Sequence, residues 1–503
     1  MKHLLEIVKI VTKKKVKKIE IFDDQTLRHK HSKFVQFYDA ITAGKFRNDR
    51  DASNLLYGGA PKDPRYRQLK SRFRRRLLNT LFFLDVNKPN NADFERAYTN
   101  AHKEWAIVKI LQANKADDTA AHMTRSILTT AKKFQFTDLI INCSRILRGY
   151  AARDGDEKAF EEYDGYIREF SGTLDAEIRS EELYQKVILH YSAPITTDND
   201  LPEKINDYSN SLASLSERFE SPIIFYNLYL VWIMRFELAR SFDTVLEICD
   251  RAERQIEDRP AYYLEEKLVL FYTKKMSAYL HQRDFRMGKT NAEQYLKKFP
   301  EGSDPWFTFM EYYLLLAIHS DNYIQALAIF NRALSNNAFK KLDGEEREKW
   351  FIYEAYINYI VDRRNFSQTK LPKPKRRNFQ LDQFLEGNHE YSKSQRNFEV
   401  LCTILQMLFW LERKNNLKAE ERIDKLRALA SRKLDKEVYY RPIQFIKLLH
   451  TLRKSDFQIV DQQRIDKYYN PLVQHPFFYR GAIAELEVIP YEKLWEMVLE
   501  YFE

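Results

Sequence analysis

The sequence predicts an all-α protein, an α-solenoid of paired antiparallel helices behind a basic N-terminal helical module, and three observations lead there. Only 12 Gly and 15 Pro punctuate 503 residues, too few for the turns of a β-sandwich or the Gly-rich loops of a doubly wound sheet. Apolar residues recur at helical spacing through one 15- to 20-residue segment after another. Aromatic residues make up 14% of the chain, and such side chains fill the wedges between packed helix pairs. A charged fraction of 31% beside 44% hydrophobic residues describes a folded chain and argues against disorder.

Residues 2 to 22 read as a basic amphipathic helix, with Leu4, Leu5, Val8 and Val11 at helical spacing ahead of Lys13, Lys14, Lys15, Lys17 and Lys18. Such a helix could lie on an anionic membrane, but docking against the next helix is the expectation. Glu6 and Lys9 interrupt its apolar run, and no small-residue cleavage site follows, so it does not read as a signal peptide. A helix over 32–42 comes next, then a short one around 52–57 ended by Gly58 and Gly59. From Pro64 to Phe82 runs a strong helix whose Tyr66, Leu69, Phe73 and Leu77 share one face. The linker NKPNN at 87–91 closes this module, taken as residues 1–88.

Charge is concentrated in the same region. Residues 1–90 hold 22 Lys plus Arg against 9 Asp plus Glu, a net of +13, so the rest of a +10 chain is −3. An anionic partner is therefore expected at the N-terminal module, and a differently purposed body behind it.

From 89 to 365 helices alternate with short polar turns. Pairs are expected at 223–257, 261–298 and 304–335, with second helices starting at Phe242, Phe285 and Tyr323. Those starts lie 43 and 38 residues apart, within the roughly 34 to 47 residues of two-helix solenoid repeats. Tyr323, Ala326, Phe330 and Ala333 follow an order of aromatic, small, aromatic, small at offsets 0, 3, 7 and 10. In this they resemble the second helix of a tetratricopeptide (TPR) repeat. Phe242, Val245, Cys249 and Ala252 keep the spacing, as do Phe285, Gly288, Ala292 and Tyr295. Phe136, Leu139, Cys143 and Ile146 read as an earlier copy, and Asn416, Ala419, Ile423 and Leu426 as a later one. Leu314 stands where the family places a small residue in the first helix, so an α-solenoid of other lineage and separate helical bundles remain alternatives.

Residues 366–397, with Pro372, Pro374, Lys373, Lys375, Arg376 and Arg377, read as an exposed basic connector. The very apolar helix beginning at Phe398 opens a C-terminal set of helix pairs over 398–503, capped by an amphipathic helix carrying Leu494, Trp495, Val498 and Leu499.

No G-x-S-x-G, phosphate-binding loop, dinucleotide fingerprint or H-E-x-x-H is present. His29 and His31 are a close pair without accompanying ligands, and read as a solvated turn. Cys143, Cys249 and Cys402 have neither disulfide nor metal spacing. Cys143 and Cys249 fall at packing positions and read as small core groups, so a reducing, cytoplasmic setting is expected, with no catalytic residue, metal or cofactor. No apolar run reaches membrane-spanning length.

The sharpest candidate site is the basic cluster Arg65, Arg67, Lys70, Arg72, Arg74, Arg75 and Arg76, joined by Lys13, Lys14 and Lys15. Arginines clamp phosphates bidentately. The stretch from Ala52 to Leu78 also resembles the recognition-helix region of winged-helix bacterial activators, without a visible wing after Phe82. The bland alternative is that these cations solvate a helix face or pair with acidic neighbours. The leading expectation is a non-enzymatic adaptor that binds a protein partner on the concave face of its repeats. A nucleic-acid-binding regulator, using residues 1–88, is the alternative.

Overall fold

Six residues other than glycine hold left-handed backbone among the described residues, and all six sit in turns between helices: Lys115, Gln135, Arg240, Arg283, Asp321 and Lys414, with φ from 54° to 61°. After each, an N–H reaches back five residues to close the preceding helix. Examples are Ser241 to Phe236 (2.9 Å), Asp284 to Tyr279 (3.1 Å), Asn322 to Ala317 (2.8 Å) and Asn415 to Trp410 (2.9 Å). This is the Schellman closure, which satisfies carbonyls a helix end would leave open. A side chain in that conformation costs about 1–2 kcal/mol, so its recurrence marks a turn the chain repeats.

The computed structural model describes residues 4–5, 7–8, 32–46, 48–59, 61–82, 93–191, 201–259, 263, 265–363, 379–387, 391–455 and 462–502. Helices take up 83% of them, with no strand. The chain divides into two compact units, residues 1–171 and 172–503.

In the first unit, α1 (Lys33–Thr42), α2 (Asp49–Tyr57) and α3 (Pro64–Leu81) surround one core. Each starts at a residue whose side chain accepts from the first turn: Ser32 from Phe34 N–H, Asn48 from Asp51 N–H, and Asp63 from Arg65 N–H, with Pro64 at the first helical position. Gly58, left-handed at φ 65°, ends α2. Phe73 lies 4.7 Å from Phe37 and 5.1 Å from Phe34, ring centre to ring centre, and Tyr66 lies 6.1 Å from Phe37. A second core in this unit is formed by α4 (Asp93–Ala113), α5 (Asp117–Phe134), α6 (Thr137–Asp154) and the start of α7 (Glu157–Tyr191), whose residues 171 and 172 mark the division. Cys143 is fully buried there, beside Leu139 and Leu147.

The second unit begins in α7 and continues with α8 (Leu201–Arg218) and a run of pairs. These are α9 (Pro222–Leu238) with α10 (Phe242–Asp258), α11 (Glu265–Gln282) with α12 (Phe285–Lys298), and α13 (Asp304–His319) with α14 (Tyr323–Ser335). The second helices start at Phe242, Phe285 and Tyr323, where the sequence places them. Next come α15 (Gly344–Arg363), α16 (Leu381–Glu386), α17 (Arg396–Glu412) with α18 (Asn416–Arg432), α19 (Tyr440–Lys454) with α20 (Gln462–Gln474), and α21 (Tyr491–Leu499). Second helices pack on the next first helix: α10 on α11, α12 on α13, α14 on α15. Tyr323, Ala326, Phe330 and Ala333 are all buried. Gly288 is the small residue of α12 for a visible reason: a Cβ there would meet Leu316 of α13 at 2.2 Å.

Within the expected connector, α16 buries Phe384 and Leu385, and the Gln406 side chain donates to the carbonyls of Phe384 (2.6 Å) and Gly387 (3.1 Å). Phe384 and Leu385 are thus packed against α17, while Asp382, Gln383 and Glu386 are exposed as expected. Its basic run, Lys373 to Arg377, lies outside the described residues, as do Lys13, Lys14, Lys15, His29, His31 and the linker at 87–91. No helix among the described residues is long and apolar enough to cross a membrane.

Candidate functional site

Helix α3 carries seven cations and no carboxylate in 18 residues, and the structure separates those cations into two sets. Three are tied to the fold. Arg65 pairs with Asp63 at 2.8 Å and lies 5.1 Å from the Tyr57 ring centre. Lys70 reaches Asp49 at 2.6 Å, beside the Tyr66 hydroxyl, which donates to the same oxygen at 2.7 Å. Burial would raise the Asp49 carboxyl, but the Lys70 and Tyr66 hydrogen bonds prevail and hold it down at about 2. Arg76 is half-buried over the Phe34 ring, 5.1 Å from its centre.

The other four, Arg67, Arg72, Arg74 and Arg75, are exposed, and among the described residues none has an acidic partner. Among the described residues, pairing with acidic neighbours therefore accounts for Arg65 and Lys70 and not for these. Their surroundings are continuous with exposed Gln68, Ser71, Leu78 and Asn79. Cations of one sign at such density repel one another, and only solvent screening makes the arrangement cheap. A polyanion would relieve that repulsion.

The interior of the second unit treats charge in the opposite way. Residues 475–490, HPFFYRGAIAELEVIP, form an irregular segment with one short 3-10 turn, Ile483–Glu485. It runs across the turn between α9 and α10 and across α11, α13, α17 and α19, whose side chains bind its backbone. Arg240 donates to the Phe477 carbonyl (2.9 Å), Ser277 to Tyr479 O (3.2 Å), and His319 Nε2 to Glu487 O (2.8 Å). Asn397 donates to Ile483 O and Leu486 O (2.7 and 2.9 Å). His281 settles its own tautomer: Nδ1–H donates to Ser277 O (2.6 Å), leaving Nε2 to accept from Tyr479 N–H (3.0 Å). Burial pushes the imidazole of His281 down to about 4 and that of His319 to about 3.

Beneath and beside the segment, buried charges are paired. Glu311 accepts from Lys349 (2.7 Å), Tyr353 (2.8 Å) and Tyr479 (3.1 Å). Lys274 contacts both Glu237 oxygens (3.0 and 2.7 Å). Arg441 forks onto Glu487 (2.6 and 3.0 Å), reaches Glu492 (2.9 Å) and holds Leu472 O. A cleft of about 620 Å³ opens here, walled by Tyr191, Glu237, Arg240, Arg441, Phe478 and Arg480. Its arginines are already engaged: Arg441 and Arg480 with glutamates, Arg240 with backbone carbonyls.

The sequence reading missed this segment and the ion pairs under it. A signal existed: α9, α13 and α17 are apolar nearly all round, which no helix with a wet face tolerates, and each carries one lone carboxylate in its apolar run, Glu237, Glu311 and Glu399, all buried.

No family model, no curated protein and no solved structure matches the chain.

Proposed function

We propose that this chain is a non-enzymatic, nucleic-acid-binding regulator. Its three-helix module α1–α3 engages the polyanion, and its helix pairs, read as tetratricopeptide-like, bind or sense a partner. One observation carries the reading: Arg67, Arg72, Arg74 and Arg75 stand exposed on a single carboxylate-free helix, unpaired among the described residues. The +13 charge of residues 1–90 supports it. An extended peptide is a less suitable ligand for the second unit, because the face formed by α11, α13, α17 and the turn after α9 already holds residues 475–490.

A protein-binding adaptor is the second reading. It draws on exposed Leu189 (74%) and Leu417 (76%), large apolar side chains outside that filled face.

Fluorescence anisotropy with labelled nucleic acid at low salt tests the first reading. Binding that weakens in the Arg72→Gln, Arg74→Gln, Arg75→Gln triple variant, with a log-log salt slope flatter by about 0.9 per lost phosphate contact on duplex DNA, is the expected result. No binding to any nucleic acid at low salt refutes it and leaves the adaptor.

A further inference from the structure

We infer that the ligand of α3 is duplex DNA, with the helix in the major groove, Gln68, Ser71 and Arg75 facing base edges, and Arg67, Arg74 and Arg72 reaching phosphates on the two flanks. This rests on the nucleic-acid reading above and specifies it.

At about 100° per residue, buried Tyr66, Leu69, Phe73, Leu77 and Thr80 define the face turned to the core. Opposite that face, one row contains Gln68, Ser71 and Arg75, at offsets of three and seven. Arg67 and Arg74, two turns apart, occupy one flank of the row, and Arg72 occupies the other. All six are exposed. The pattern is a central strip of hydrogen-bonding side chains with cations on both sides, which is the order that a groove with bases at its floor and phosphates at its two rims presents.

Size agrees. A helix with side chains is roughly 10–12 Å across, and the major groove of B-form DNA is about 12 Å wide. The residue types suit base edges: Arg matches guanine and Gln matches adenine, each with two hydrogen bonds. Helix α3 can be inserted without unfolding, since α1 and α2 pack behind it and no acidic side chain on it faces the phosphates.

The same face argues against other nucleic acids. A-form RNA has a major groove too deep and narrow for a helix. Single strands are held by stacking on aromatic rings, yet both aromatic residues of α3, Tyr66 and Phe73, are buried in its core.

Anisotropy with the full chain and three probes of one sequence, duplex DNA, duplex RNA and single-stranded DNA, tests the class of ligand. Duplex DNA is expected to bind at least about 10-fold more tightly than either other probe at equal salt. Selection from a random duplex-DNA library then tests the assignment of faces. Arg67→Gln with Arg74→Gln should weaken all duplexes alike and flatten the salt slope by about 2. Gln68→Ala with Arg75→Lys keeps the charge but removes the paired hydrogen bonds. It should leave the slope unchanged and lose the enriched sequence. All these side chains are exposed, and an unchanged melting temperature confirms that the variants fold. Tighter binding of RNA or single strands, no enriched sequence, or enrichment that survives Gln68→Ala with Arg75→Lys overturns the inference while leaving nucleic-acid binding intact. Absence of all nucleic-acid binding instead removes the functional reading beneath it.

Discussion

Helix α3 and the interior of residues 172–503 handle the same kind of side chain in opposite ways. On α3, four guanidinium groups face water with no carboxylate among the described residues to answer them. In the second unit, Arg441 is buried and answered by Glu487 and Glu492, while Lys349 is answered by Glu311 and Lys274 by Glu237. The difference follows from solvent. An exposed cation loses little by standing alone, whereas a buried one without a partner costs several kcal/mol. Pairing inside is therefore a requirement of folding and says little about function. Absence of pairing outside, repeated four times on one helix among the described residues, is not required by folding, and that is where a ligand is to be sought.

The largest effects that bear on this contrast should come from the interior. Arg441→Ala removes the partner of Glu487, itself 3% exposed, and is expected to cost about 3–5 kcal/mol in urea denaturation. Replacing both, Arg441→Met with Glu487→Leu, should recover most of that loss. A single variant as stable as the parent would show that the fork contributes nothing and would erase the contrast. Ala326→Arg tests the packing between helix pairs: Ala326 is 1% exposed, and an unpaired charge combined with overpacking should lower stability by several kcal/mol, at least about 3. Melting within a degree or two of the parent rejects that packing.

A smaller effect is expected from acid. His281 and His319 are neutral in the fold, with values near 4 and 3 against an ordinary 6.5. Between those values and 6.5 the unfolded chain binds more protons, so stability rises with pH across that window and falls on acidification through it. Each imidazole contributes up to about 1.4 kcal/mol per pH unit. Denaturation midpoints at pH 7, 6 and 5 measure the slope; His281→Gln should reduce it. The smallest effect belongs to α3, where Arg72→Gln, Arg74→Gln and Arg75→Gln together should change stability by less than about 0.5 kcal/mol. A larger loss would mean that these arginines serve the fold after all.

Much of the helical framework was legible because its signals are local. The starts of α10, α12 and α14 could be placed to the residue, since an aromatic side chain follows a short polar turn in each. The core face of α3 followed from its apolar spacing, and the exposure of its arginines from the same wheel. The pairings were not legible because they are distant in sequence. Nothing local distinguishes Lys70, bound to Asp49, from Arg67, which is free of any acidic partner among the described residues. Residues 475–490 were opaque for a similar reason. They have neither helical period nor strand alternation, and their structure is imposed by side chains about 200 residues earlier or more, such as Ser277 and His281 bonding Tyr479 and Arg240 bonding Phe477.

That distance shapes how the second unit is made. Helix pairs such as α9 with α10 close on neighbours in sequence and can form within moments of synthesis. The face they share, with Ser277, His281 and His319 on it, stays uncovered until residues 477–487 have emerged and folded back. At about 5–20 residues per second, the roughly 160 residues between His319 and Tyr479 take on the order of 10 seconds to synthesise. During that interval a nascent chain presents an apolar surface set with unsatisfied polar groups, the kind of surface that chaperones bind. Residues 475–490 thus act as a late-arriving closure, and substitutions in them should reduce the yield of folded protein in the cell more than the stability of what does fold.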